Sequence, residues 1–369
     1  VSDAAEAPPA SVIVIGTGLI GTSIALALRE HGVPVWLRDQ DADAEKLAAD
    51  LGAGHPLPPS GPPDGPADLA VLAVPPPAIA SELHAAQRRG LARGYTDVAS
   101  VKELPLAGAR ELGCDLATYL PGHPLSGRER SGPAAARADL FVGRPWVLCP
   151  QPANDREIIF QVTWLARACR AQPVSVSAAD HDQWVALVSH APHLVAASMA
   201  ARLAPAPGHA LALAGPGLRD VTRIAGGSPD MWLQILAGNA APAASVLRAV
   251  AADLAQAASA LDDLAGGDEQ AGKQIADLLE RGVAGVGRLP GKHGGTTRGF
   301  VTMQVVIPDR PGELARLFQA AGEAGINIED VSIEHSPGLP VGVAELLVRP
   351  GAVAPLSAVL AAEGWPVRR

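Results

Sequence analysis

The chain has 369 residues, 48% of them hydrophobic, with 29 Lys and Arg against 38 Asp and Glu for a formal net charge of −9. That length exceeds what one core holds and predicts two or three domains, and the acidic balance argues against a nucleic-acid surface. No uninterrupted apolar run reaches membrane-spanning length, because His, Arg or Pro breaks the long Ala/Leu/Val stretches, so no membrane is expected as a partner. Residues 1–10 lack the basic and apolar regions of a signal peptide and read as a disordered tail. Cys114, Cys149 and Cys169 are odd in number and lack metal-ligand spacing, which fits three small buried hydrophobes in a reducing cytoplasm.

The first element is Ser11 to Gly21, SVIVIGTGLIG. Four β-branched residues, Val12 to Ile15, predict a strand buried on both faces. Gly16, Gly18 and Gly21 form GxGxxG where that strand turns into a helix running to Glu30. The glycines allow a tight turn and close approach of a pyrophosphate to the helix start at Leu19 and Ile20. A second strand, Val33 to Arg38, ends in Asp39, at about the ~20-residue offset where an acidic side chain takes the ribose hydroxyls of NAD. Asp39 also repels a 2′-phosphate, favouring NAD, while Arg38 beside it leaves NADP open.

Next come a helix signal over Asp41 to Leu51, a Pro/Gly-rich loop over His55 to Pro66, and an apolar strand over Asp68 to Val74 stopped by Pro75, Pro76 and Pro77. Tyr95 to Ala99 predicts a strand leading into Ser100, and Thr118 to Pro121 one leading into His123. Trp146 to Cys149 supplies a last strand before Pro150 and Pro152. The glycine turn, the Val74–Pro75 strand end, Ser100 and His123 thus all follow the carboxyl ends of apolar strands, the edge where an open doubly wound sheet binds ligands. Residues 11–152 are therefore expected to form a Rossmann-type α/β domain.

Residues 153–284 change to long Ala/Leu-rich helical stretches, broken at Pro173, at Pro205 to Gly208, at Gly215 to Gly217 and at Gly226 to Pro229. An all-α domain of this kind can close over the nucleotide edge and pair with its copy across a two-fold axis. Residues 285–299 have the composition of a linker. Beyond it, strand Phe300–Ile307, helix Gly312–Ala324, strands Ile326–Glu334 and Val341–Val348, and a helix near Pro355–Ala362 predict a small α+β module over 300–369.

Three groups of residues carry chemistry. His123 opens HPLSGRERSG; an imidazole of ordinary pKa about 6.5 is matched to general-base work, the alternative being a histidine that caps a loop. Ser189 and His193 are i and i+4 on one helix and so share a face. Pro192 between them cannot donate to the Val188 carbonyl, so a kink beside polar groups marks either a pocket or a satisfied interhelical histidine. Asp220 and Arg223 are i and i+3 and can pair, and the always-charged Arg223 suits a two-point grip on a carboxylate or a solvated surface pair equally well.

Taken in order, GTGLIG, DVASVK at Asp97 to Lys102, GHPLSGRERSG, SHAPHLVA and LRDVTRIAGGSPDMW resemble the prephenate dehydrogenase family of tyrosine biosynthesis over residues 11–284. IPDRPGELARLF and AGINIEDVSIE, in residues 300–369, resemble an ACT domain, a ferredoxin-like amino-acid-sensing unit. The resemblance implies a cytoplasmic homodimer that carries out NAD-dependent oxidative decarboxylation of prephenate to 4-hydroxyphenylpyruvate. Hydride leaves the hydroxyl-bearing ring carbon and loss of CO2 aromatises the ring, so positioning and one proton acceptor are enough and no metal is called for.

The resemblance also assigns residues. His123 accepts from the ring hydroxyl, and Ser100 helps place His123 and the nicotinamide. Glu129 gates the pocket, and Ser189 and His193 lie near the substrate side chain. Arg223 binds a carboxylate with Asp220 as its partner, and Trp232 lies near the pocket or the subunit interface. Arg128 departs from the threonine of some members; its added charge has the ring carboxylate, a ring amine of a variant substrate, or Glu129 as its partner. In the C-terminal module Asp309, Pro311, Gly312 and Asn327 are the candidate effector contacts, with tyrosine the expected effector and simple help in dimerisation the alternative. Arogenate or a ring-amino analogue stands as the rival substrate. A non-catalytic sensor of NAD and an amino acid is the rival class, against which the pairing of Ser100 with His123 counts.

Overall fold

The computed structural model describes residues 8–126, 131–289, 299–335 and 340–368. Arg128 and Glu129 lie outside the described residues, as do 1–7 of the expected tail and 290–298 of the expected linker. The chain divides into two compact units, Val1–Val250 and Ala251–Arg369.

In the first unit β1 (Val12–Ile15), α1 (Leu19–Glu30), β2 (Val35–Arg38), α2 (Ala42–Asp50), β3 (His55–Pro56), β4 (Ala67–Leu72), α3 (Ile79–Arg88), β5 (Ala92–Asp97), α4 (Glu103–Glu111) and β6 (Tyr119–Leu120) follow one another. Their strands form one parallel sheet in the order β3-β2-β1-β4-β5-β6. This is the doubly wound dinucleotide-binding order, whose winding reverses between β1 and β4. Val12 and Val14 face a core shared with Ile24 and Leu28 of α1, while Ile13 and Ile15 face one shared with Ile79 and Leu83 of α3 and Leu106 of α4. All four β1 residues are buried, as a strand covered on both faces requires. Ile15 registers with Arg38 on one side and Leu72 on the other, so Gly16, Asp39 and Ala73 leave the sheet at one level.

A second sheet holds β7 (Gly122–Pro124), β8 (Pro145–Leu148) and, beyond α5 (Arg156–Ala168), β9 (Gln172–Ser175), in the order β7-β8-β9. Three expectations are corrected here. His123 sits inside a strand, paired antiparallel with Val147, and not in a loop. The break expected at Pro173 within a helical stretch is a strand, tolerated because β9 is an edge where a missing N–H costs no ladder bond. In the segment expected to be loop, His55 and Pro56 pair with Trp36 and Leu37. Cys149 and Cys169 are buried and Cys114 half-buried; burial pushes the Cys149 thiol up to about 12, leaving it protonated and inert.

The helical part runs through α6 (Ala178–Val185), a π turn (Ala186–His190), α7 (Ala191–Ala201), α8 (Gly208–Leu211), α9 (Pro216–Thr222), a 3₁₀ turn (Arg223–Gly226), α10 (Pro229–Gly238) and α11 (Ala240–Ala265). Contrary to the reading of the sequence, Ala178–Ala201 is long and apolar enough to cross a membrane by length and composition. It nonetheless buries His181, Asp182, His190 and His193 within the protein. The same stretch leaves Trp184, Leu187 and Val188 more than half exposed, at 54%, 60% and 67%.

In the second unit, after α12 (Gly272–Val286), the C-terminal module runs β10 (Val301–Pro308), α13 (Glu313–Glu323), β11 (Asp330–His335), β12 (Val341–Val348), α14 (Val353–Ala362) and β13 (Val367–Arg368). Its antiparallel sheet has the order β11-β12-β10-β13. Met303, Val305 and Ile307 alternate into a core with Leu346, Leu317 and Leu356, the period-two burial of a sheet covered on one face.

Candidate active site

The carboxyl edge of the first sheet is shaped by its glycines. A Cβ on Gly16, whose φ is +101°, would come within 2.3 Å of the Ala73 carbonyl oxygen and 3.1 Å of the Val74 amide, and one on Gly21 within 1.9 Å of the Gly16 carbonyl. Only glycine lets β1, α1 and the end of β4 close this tightly. Gly18 faces open space instead. It caps α1 without a side-chain hydrogen bond, so the first-turn amides at Leu19 and Ile20 are available to an anion. Asp39 stands beside them: its Oδ2 accepts from the Thr17 amide at 2.5 Å and the Thr17 hydroxyl at 2.9 Å. Half-buried Val74 and exposed Pro75 form the opposite wall. A backbone cradle with an open anion site and a carboxylate at its rim fits a dinucleotide with free ribose hydroxyls.

Beside this edge lies a buried polar network. Asp97, at the end of β5, and Lys102 are both fully buried and form an ion pair. Asp97 also accepts from the Tyr119 hydroxyl at 2.7 Å and the Ala99 amide at 2.8 Å. Burial first, and the Asp97 charge second, hold the Tyr119 phenol well above its usual range. Lys102 Nζ donates to the Gly122 carbonyl at 2.6 Å, fixing the backbone immediately before His123. Half-buried His123 places Nδ1 2.8 Å from His181 Nε2, and His181 Nδ1 lies 2.7 Å from Asp182 Oδ1. Asp182 accepts from the Lys102 amide at 2.8 Å and the Glu103 amide at 2.9 Å. Burial, and then the nearby His181, Lys102 and His190, push the His123 imidazole well below its ordinary value, so it is neutral and free to accept a proton. Ser100 is half-buried, and its hydroxyl has no hydrogen-bond partner among the described residues.

The third group centres on the π turn. The Asn239 amide donates to His190 Nδ1 at 3.0 Å and to the Asp182 carbonyl at 2.7 Å. Trp232 stacks on His193 at 3.6 Å between ring centroids and 13° between planes. Gly227 lies against this pair, where a Cβ would come within 2.5 Å of Trp232 Nε1. The expected shared face of Ser189 and His193 is corrected: Ser189 is exposed while His193 is buried. The π turn adds a residue to the repeat just before Pro192, which rotates the i, i+4 relation away. Asp220 and Arg223 are both exposed and form no ion pair among the described residues. Arg223 opens the 3₁₀ turn at the end of α9, leaving its guanidinium free for another partner.

Burial pushes His190 down to about 4 from 6.5. The unfolded chain therefore takes up this proton first as pH falls, so stability present above pH 6.5 is lost progressively toward pH 4. Thermal unfolding followed between pH 8 and pH 4 should show the midpoint falling across that window, with a shallower fall in His190→Asn; equal slopes would show that His190 does not contribute.

Residues 24–175 match the family described as prephenate dehydrogenase, nucleotide-binding domain, and residues 177–278 match prephenate dehydrogenase, dimerization domain. A probable prephenate dehydrogenase of Streptomyces niveus is 39% identical over 96% of this chain and 99% of its own length. The prephenate dehydrogenase of Bacillus subtilis is 30% identical over 62% of this chain and 64% of its own. Among solved structures, Aquifex aeolicus prephenate dehydrogenase in complex with hydroxyphenyl propionate and NAD+ superposes with a TM-score of 0.64 at 22% identity, over 76% of this chain and 99% of that one. A likeness that takes in the sheet, the helical part and nearly the full length of a relative leaves one assignment: the chain belongs to the prephenate dehydrogenase family.

Proposed function

We propose that the protein oxidises and decarboxylates prephenate to 4-hydroxyphenylpyruvate with NAD, for tyrosine biosynthesis, as a homodimer. The observation that carries this reading is His123, a neutral imidazole fixed at the nucleotide edge by a buried network. Bound in the glycine cradle, NAD+ supplies the hydride acceptor. Gly16, Gly18, Gly21, Leu19, Ile20, Val74 and Pro75 shape that cradle, and Asp39 takes the ribose hydroxyls and disfavours a 2′-phosphate. His123 accepts the proton of the ring hydroxyl, and Arg223 grips a carboxylate. The match of 177–278 to a dimerization domain and the exposed apolar face of Trp184, Leu187 and Val188 support the dimer.

Steady-state NAD reduction with prephenate and with arogenate, side by side, tests the reading. Turnover of prephenate is expected; turnover of arogenate alone would move the substrate to its rival, and turnover of neither would favour the sensor. In Arg223→Ala, loss of a charged hydrogen-bonded pair worth roughly 1.5 to 3 kcal/mol should raise the substrate KM by about 10- to 150-fold with little change for NAD. A KM within twofold of wild type would make Arg223 structural.

For the C-terminal module the reading is an ACT domain that senses tyrosine. Its strand-helix-strand-strand-helix-strand order supports this, as does the turn Asp309 to Gly312, where Gly312 at φ +90° starts α13 without a side-chain cap. Asn327 is exposed on the loop before β11. A cavity of about 360 Å³ opens beside the turn, lined by Pro308, Arg310, Glu313 and Trp365 among others. Arg316 pairs with Glu313 at 3.1 Å, whereas Arg310 has no ion pair among the described residues and suits an amino-acid carboxylate. Tyrosine should inhibit the whole chain, and Arg310→Ala should lose inhibition while keeping its uninhibited kcat. Equal sensitivity in both would place inhibition at the active site by product mimicry.

A further inference from the structure

Behind His123 stand an imidazole and a carboxylate in line, and their hydrogens can be placed one by one. A carboxylate only accepts. Asp182 already accepts the Lys102 amide on Oδ1 and the Glu103 amide on Oδ2, so the hydrogen in its 2.7 Å contact with His181 belongs to His181 Nδ1. With that one hydrogen alone, His181 presents a bare Nε2. The hydrogen in the 2.8 Å contact between the two rings must therefore sit on His123 Nδ1. We infer that His181 and Asp182 are positioning residues that hold His123 in its Nδ1–H tautomer, so that the Nε2 lone pair of His123 is the proton acceptor for the substrate hydroxyl.

The inference rests on the functional reading above. In the step it describes, the proton leaves the hydroxyl oxygen and bonds to His123 Nε2, and the O–H electron pair stays with the substrate. The resulting imidazolium keeps its Nδ1–H on His181, one bond from the Asp182 charge. Protonating His181 would reverse the line: its Nε2–H would donate to His123 Nδ1, and His123 would turn an Nε2–H toward the substrate, unable to accept. The other charged and titratable groups that face this line are Lys102 with its partner Asp97, Cys149 after β8, and His190 in the π turn. The acid limb of the rate profile therefore reports the set as a unit.

Two measurements test the assignment. Histidine-selective ¹⁵N NMR on the whole chain at pH 8, with His123→Asn used to assign the signal, should show His123 carrying hydrogen on Nδ1 and none on Nε2; an Nε2–H signal overturns the inference. In kinetics, His181→Phe should lower kcat by about 10²-fold, on the order of removing or misdirecting a general base, with KM for prephenate and for NAD within twofold and the acid limb displaced. His181→Gln, whose side-chain carbonyl can still accept from Nδ1–H, should recover part of that loss. Wild-type kcat and an unmoved acid limb in a folded His181→Phe overturn the inference while leaving the functional reading intact. A wild-type chain that turns over no substrate sinks the functional reading, and the NMR result still decides the tautomer.

Discussion

Replacing His123 with asparagine lowers kcat by about 10² to 10⁴, the contribution of a positioned general base, and leaves NAD affinity within twofold. Asparagine keeps a polar side chain on β7, but an amide cannot take up a proton near neutral pH. The glycine cradle and Asp39 belong to β1, α1 and β2, none of which depends on the His123 ring, so cofactor binding survives. Stopped-flow NADH formation together with fluorescence titration of NAD separates the two effects. Turnover within threefold of wild type would remove His123 from the chemistry.

The second large effect falls on stability. Lys102→Met leaves the buried Asp97 carboxyl without its cation and with only neutral donors, the Tyr119 hydroxyl and the Ala99 amide. Breaking one side of a buried ion pair costs about 3 to 5 kcal/mol, which for a unit of this size lowers Tm by roughly 6 to 20 °C. Asp97→Asn should cost a comparable amount, because the buried Lys102 ammonium then has no counter-charge. The double variant Asp97→Asn/Lys102→Met should be less destabilised than the two losses added together, because neither charge is then left without its partner. Simple additivity in a thermal denaturation cycle would show that the pair is not coupled. Because Lys102 also fixes the backbone before His123, the single variants should lose activity at temperatures where they remain folded.

The first sheet was legible because its signals are local. Val12 to Ile15, the glycines and Asp39 each announce a conformation or a charge within a few residues, and the parallel register then aligns Gly16 with Asp39 and Ala73. His123 stands out in the sequence as a candidate, but its strand does not, since three residues carry no periodicity. The roles of His181 and Asp182 are not legible, because the helical run around them carries no motif. What gives them a role is the tertiary fold, in which α6 brings His181 against His123 of β7, rings 58 positions apart. Their adjacency, a carboxylate next to an imidazole near the start of a predicted helix, was the available signal. Ser189 and His193 do not share a face because the i, i+4 rule presumes 3.6 residues per turn, which the π turn before Pro192 does not supply. The strand at Gln172 to Ser175 was hidden by a proline that reads as a breaker everywhere except at a sheet edge.

The Asp182 carboxylate has one more consequence, for motion. It is carried by α6, yet two of its donors are the amides that start α4 in the nucleotide-binding part. A hinge opening that parted these helices would strip the buried carboxylate of both backbone donors and leave it only His181 of its own helix. At about 3 kcal/mol or more for an uncompensated buried charge, the opened form would hold roughly 1% of molecules or fewer. The joint behaves as a pin, and the two layers move as one block. A variant that loosens the pin should therefore blur the site before it speeds exchange.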